Sequence, residues 1–118
     1  MEAYGQSKLA NLFFTYELDR RLDEEEVADN ALHPGFVNTH LGKDHWVVGP
    51  LLNMIHFFFA KNPEQGAHTP ICLAGSPDVE GVSGEYYTDR KPVRSSAVSY
   101  DKETARRLWK ISEEMTAL

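Results

Sequence analysis

Two short strand-like runs, residues 27 to 33 and 84 to 88, stand on either side of a helix-start signature, and that order limits the possible folds more than any other feature. The first run, Val-Ala-Asp-Asn-Ala-Leu-His, is stopped by Pro34-Gly35, because proline cannot donate to a ladder and glycine relaxes the backbone. The second, Gly-Glu-Tyr-Tyr-Thr, follows Gly81 and precedes the turn-like stretch Asp89 to Pro92. Between the runs, Asn62 can cap a helix with Pro63 at its first position, running toward Ala74 and stopping by Gly75-Ser76-Pro77. Strand, helix, strand predicts a parallel pair joined by a right-handed crossover, the unit of an α/β doubly wound parallel sheet. Such sheets carry several strands and are covered by helices on both faces. Residues 1–118 show only two such runs, so they are expected to be part of one such domain rather than the whole of it.

Helical periodicity frames this unit. Leu9, Leu12, Phe13, Tyr16 and Leu18 recur at three- and four-residue steps from Tyr4 to about Leu22, which predicts a largely buried helix. The acidic cluster Asp23-Glu24-Glu25-Glu26 reads as a solvated turn. Asp29 and Asn30 are poor strand formers inside the first run. Residues 36 to 62 read as irregular, with a short helix over the apolar stretch 51 to 59. Ser95, Ser96, Ser99 and Tyr100 read as loop and cap before a last helix. Asp101 can cap that helix, whose apolar Ala105, Leu108, Ile111 and Met115 follow the 3.6-residue period.

Charge narrows the partners. The chain carries 12 Lys and Arg against 18 Asp and Glu, a net charge of −6. No nucleic-acid partner is expected, since neutralising phosphates needs a cationic surplus on one face, and an anionic membrane surface is disfavoured for the same reason. Cys72 is the only cysteine, which excludes an internal disulfide and a multi-cysteine zinc site. The five histidines show neither H-E-x-x-H nor an i,i+4 pair, so no metal is expected. The N-terminus has no signal-peptide pattern, and the longest apolar run falls well short of the roughly 20 residues that span a bilayer.

Tyr4 and Lys8 lie four residues apart, one turn along a helix and on one face. A cation within about 4 to 6 Å favours phenolate over phenol, so such a pair suits proton exchange near neutral pH. Alone the pattern is weak: five tyrosines in a chain with six lysines give about 0.25 chance matches. The joint pattern is more specific. Tyr4-Gly5-Gln6-Ser7-Lys8-Leu9-Ala10-Asn11 is followed by Asn30-Ala31-Leu32-His33-Pro34-Gly35-Phe36-Val37-Asn38-Thr39, then Asn62-Pro63-Glu64-Gln65-Gly66-Ala67, Gly81-Val82-Ser83-Gly84 and Ala105-Arg106-Arg107-Leu108-Trp109. This series resembles the C-terminal half of a short-chain dehydrogenase/reductase, in particular the retinol dehydrogenase branch.

The resemblance implies a partial Rossmann-like, doubly wound parallel sheet, its last two strands with flanking helices and the upstream half missing, and an oxidoreductase that interconverts an apolar alcohol such as retinol, or a long-chain alcohol, and its aldehyde. It implies Tyr4 as catalytic acid and base, with Lys8 lowering its pKa and hydrogen-bonding the nicotinamide ribose. Pro34, Gly35, Val37 and Thr39 would line the nicotinamide and pyrophosphate side of the cofactor pocket, with NADP expected and NAD the alternative. Ligands of open α/β sheets do bind beyond the carboxyl ends of strands, where this loop falls. The aromatic run Phe57-Phe58-Phe59 with Trp46 reads as core from composition and as cover for an apolar substrate from the resemblance. No glycine-rich cofactor turn occurs in the chain, Ser7 does not match the family's catalytic serine, and Asp29 stands where the family usually has an apolar residue. The isolated chain is thus expected to be inactive. The alternative reading is a truncated, non-catalytic product that pairs with itself or a full-length relative through helix 4–22. Relatives of this branch are often tethered to the endoplasmic reticulum membrane, which implies a cytosol-facing location.

Overall fold

The structure, a computed structural model, describes residues 2–22, 27–35 and 62–117. The first element, α1, is a 20-residue helix, Glu2–Arg21. No proline interrupts it, and it carries acidic Glu2 in its first turn and Arg20 and Arg21 in its last, the order that suits the helix dipole. The expectation of a largely buried helix holds only for its C-terminal half. Phe13, Thr15, Tyr16 and Glu17 are buried, whereas residues 2–8 are exposed because that end overlooks an open cavity. Burial opposes ionisation of Glu17, but Arg20 at 2.6 Å and Arg21 at 2.8 Å outweigh it and hold the carboxyl below its ordinary range.

Among the described residues the sheet has three strands, where the sequence predicts two. β1 (Ala31–His33) pairs in parallel with β2 (Tyr86–Thr88), opposing Ala31 to Tyr86 and His33 to Thr88. β3 (Lys91–Val93) then pairs antiparallel with β2, opposing Tyr87 to Pro92. The stretch Asp89 to Pro92 is therefore a hairpin turn and the start of a strand, a correction to the all-parallel expectation. Asp89 and Arg90 both adopt positive φ, 51° and 63°, as a two-residue hairpin between twisted strands requires. Pro92 is tolerated because β3 is the edge of the sheet.

The first strand is also shorter than its apolar run suggests. Asn30 takes over pairing with its side chain: its amide donates to the Val82 carbonyl at 2.8 Å, and its Oδ1 accepts from the Glu85 amide at 3.0 Å. Asp29 sits beside it in a tight polar knot. Its amide donates to Ser83 Oγ at 2.9 Å, its carbonyl accepts from Gly84 at 2.8 Å, and Ser83 Oγ in turn donates to Asp19 of α1. Gly84, at φ +72°, is required here, since a Cβ would collide with the Asp19 carboxylate. Asp29 Oδ2 is buried without a hydrogen-bond partner, and burial, then the Asp19 charge, push its carboxyl above the ordinary range.

A raised carboxyl pKa in the folded state means that the fold favours protonated Asp29. Its contribution to stability is fully present below the ordinary carboxylate range and is lost as pH rises through the raised value. Asp29→Asn, which removes the charge, is expected to stabilise the chain at neutral pH by about 1 kcal/mol. The gain should shrink as pH falls through the raised value toward the ordinary carboxylate range, which urea denaturation from neutral to acid pH would measure.

α2 (Pro63–Gly75) begins as the sequence predicts, with a capping box in which Asn62 Oδ1 accepts from Gln65 and Gln65 Oε1 accepts from Asn62. α3 (Lys102–Thr116) is likewise capped by Asp101, which accepts from the Glu103 and Thr104 amides. α1 and α3 lie side by side, with Phe14 stacked on Trp109 at 5.3 Å and the Arg21 guanidinium 4.7 Å from the Trp109 ring. The Ser95–Tyr100 segment, read as loop and cap, holds a short 3-10 turn (Ala97–Tyr100) and docks on α1 through a chain of hydroxyls. Tyr16 bonds Ser95 at 2.7 Å, Ser95 bonds the buried Ser99 at 2.6 Å, and the Tyr16 and Tyr100 rings stack. Phe13, Tyr16, Tyr87 and Ala105 form the core. The predicted turn at 23–26 and the predicted helix over 51–59 lie outside the described residues.

Candidate active site

α1 begins over the carboxyl end of β1, and a cavity of about 580 Å³ opens between them. Tyr4 and Lys8 line it from the helix, and Pro34 and Gly35 line it from the loop after β1. Four of the six residues picked out in the sequence therefore share one cavity. Val37 and Thr39 lie outside the described residues. The Lys8 ammonium rests over the Tyr4 ring, 5.3 Å from its centroid, as the four-residue spacing on a helix allows. Tyr4 is 60% exposed, so its phenol is open to a ligand. Ser7 is not aimed at the cavity: its hydroxyl donates back to the Tyr4 carbonyl at 2.7 Å.

The loop wall has its own local bond. The Gly35 amide donates to His33 Nδ1 at 2.7 Å across Pro34, and Gly35 adopts φ +84°. Only glycine takes that conformation without steric cost, which explains the residue type at this bend. The rest of the cavity is mostly apolar on the helix and strand side, through Leu9, Leu12, Ala31 and Leu32.

Sequence reasoning missed Asn11, Tyr86 and Ser96, which complete the lining. Asn11 was legible in principle, lying one turn beyond Lys8. Tyr86 and Ser96 reach the cavity only through strand pairing and the docking of the segment after β3. Tyr87, next to Tyr86, lines a separate cavity of about 670 Å³ with Cys72 and Val82. Successive strand residues point to opposite faces, so the two cavities lie on opposite sides of the sheet. Among the described residues, no three His, Cys, Asp or Glu side chains are grouped to hold a metal ion, and no helix is long and apolar enough to cross a membrane.

Comparison with known proteins bears on the class. No family model matches the chain. The curated relatives include retinol dehydrogenases and short-chain dehydrogenases, consistent with a short-chain dehydrogenase/reductase segment of the retinol dehydrogenase-like kind. It is 48% identical to retinol dehydrogenase 14 of Homo sapiens over 118 residues, covering 98% of this chain and 35% of that protein. It is 40% identical to short-chain dehydrogenase TIC 32 B, chloroplastic, of Brassica napus over 113 residues, covering 94% of this chain and 35% of that protein. Polyprenol dehydrogenase of Homo sapiens is 39% identical over 119 residues, with 98% and 36% covered. The chain thus spans about a third of the length of the curated relatives it matches.

Proposed function

We propose that this chain supplies the proton-transfer face and the nicotinamide-side loop of an oxidoreductase that interconverts an apolar alcohol, such as retinol, and its aldehyde with NADP(H). The observation that carries the reading is the convergence of Tyr4, Lys8, Pro34 and Gly35 on one cavity. Its volume lies within the range of small-molecule sites, and its phenol, ammonium and imidazole are donors suited to the ribose and carboxamide end of a dinucleotide. NADP(H), when bound, gives or takes the hydride. The choice of NADP over NAD rests on the resemblance alone.

Tyr4 gives its phenol proton to the carbonyl oxygen in reduction and takes the hydroxyl proton in oxidation. Lys8 favours the negative charge left on the phenol oxygen and hydrogen-bonds a ribose hydroxyl. Pro34 and Gly35 shape the loop, and the resemblance alone assigns Val37 and Thr39 to the cofactor side. Leu9, Leu12 and Leu32 give the cavity an apolar side that suits a retinoid or a long-chain aldehyde. The parallel pair β1 and β2 is what the end of a partial Rossmann-like, doubly wound sheet requires, and among the described residues β1 is paired along one edge only. By itself that open edge favours self-association and an inactive chain.

The reading is tested in a chimera in which this chain replaces the matching segment of human retinol dehydrogenase 14. NADPH-dependent reduction of retinal by the chimera is expected. A soluble chimera that binds NADPH but reduces no apolar aldehyde would overturn it. A second reading, a non-catalytic partner that pairs through helix 4–22, draws on Phe14, which remains 50% exposed on α1. Co-purification with a full-length relative that is lost in Phe14→Glu and unaffected by Tyr4→Phe would favour it.

A further inference from the structure

We propose that His33 is a positioning residue for the cofactor side of this cavity, acting through the Gly35 amide. The inference rests on the reading of the cavity as a nicotinamide site. The Gly35 N–H donates to His33 Nδ1 at 2.7 Å, so Nδ1 holds a lone pair and the ring proton sits on Nε2. A side chain at one position that accepts the amide two residues on is the bond of an Asx turn, here made by a histidine. The intervening Pro34 fixes its own φ and has no N–H, so the His33 bond and the φ of +84° at Gly35 together determine the bend.

Loss of the Nδ1 acceptor frees the Gly35 amide and loosens the bend, and His33, Pro34 and Gly35 together line this side of the cavity.

The test compares wild type, His33→Ala and His33→Asn, each carried as the full chain within the retinol dehydrogenase chimera. The readout is the dissociation constant for NADPH by fluorescence quenching, with no turnover needed. His33→Ala should weaken NADPH binding by about 3- to 10-fold, the range of one lost hydrogen bond. His33→Asn, whose Oδ1 can accept the same amide, should restore it. Equal affinity in all three forms, or no rescue by Asn, overturns the inference even where Tyr4→Phe abolishes turnover. Failure of every form to bind NADPH overturns the inference together with the cofactor reading.

Discussion

Tyr4→Phe is expected to lower kcat for aldehyde reduction in the chimera by about 10²- to 10⁴-fold while leaving NADPH binding within about twofold of wild type. The substitution removes one oxygen from an exposed ring and keeps the surface that Lys8 rests on. The helix and cavity walls should stay in place, so the loss belongs to proton transfer. Lys8→Met, which keeps a chain of similar length without charge, should lower kcat and weaken NADPH binding together, because the ammonium is assigned to both the phenol and the ribose. Steady-state kinetics and fluorescence titration separate the two variants. Equal turnover by Tyr4→Phe and wild type would remove the proton donor from the account.

The second large effect concerns stability. Phe13→Ala is expected to cost about 3–5 kcal/mol, a large part of the roughly 5–15 kcal/mol that holds a domain together. Phe13 is 6% exposed and belongs to the core with Tyr87 and Ala105. Its neighbour Phe14 is half exposed and stacks on Trp109, so Phe14→Ala should cost only about 1 kcal/mol. Guanidinium denaturation of the two variants reads the difference directly. A cost for Phe13→Ala no greater than for Phe14→Ala would place the buried face of α1 elsewhere.

The parts of the fold that were legible in the sequence are those with local causes. Asn62 and Asp101 cap helices through bonds made within three residues, and both caps stand where the residue types put them. The third strand was hidden for an equally physical reason. Pro92 argues against a central strand, and Asp89-Arg90 lacks the glycine that usually marks a two-residue hairpin, so the stretch reads as a turn alone. The exposure of the start of α1 was hidden too, because periodicity records which residues are apolar and not what lies opposite them.

In the site, Tyr4, Lys8, Pro34 and Gly35 were legible through the joint series of motifs, since the four-residue spacing and the proline-glycine bend are each weak alone. Tyr86 and Ser96 were not, since their place on the cavity depends on strand register and on the Tyr16–Ser95–Ser99 hydroxyl chain. The polarity of Asp29 is visible in the sequence, but its partner Ser83 comes from a distant segment and bonds Asp19 of α1 in turn.

The central claim is that the nicotinamide ring lies between the start of α1 and the bend after β1. Saturation of the nicotinamide protons of bound NADP in the isotope-labelled chimera tests it most directly, by following transfer of magnetisation into the protein. The account predicts transfer to the Tyr4 ring and the Gly35 amide. Transfer to Tyr87 and Cys72 on the other side of the sheet, with none at Tyr4, would contradict it.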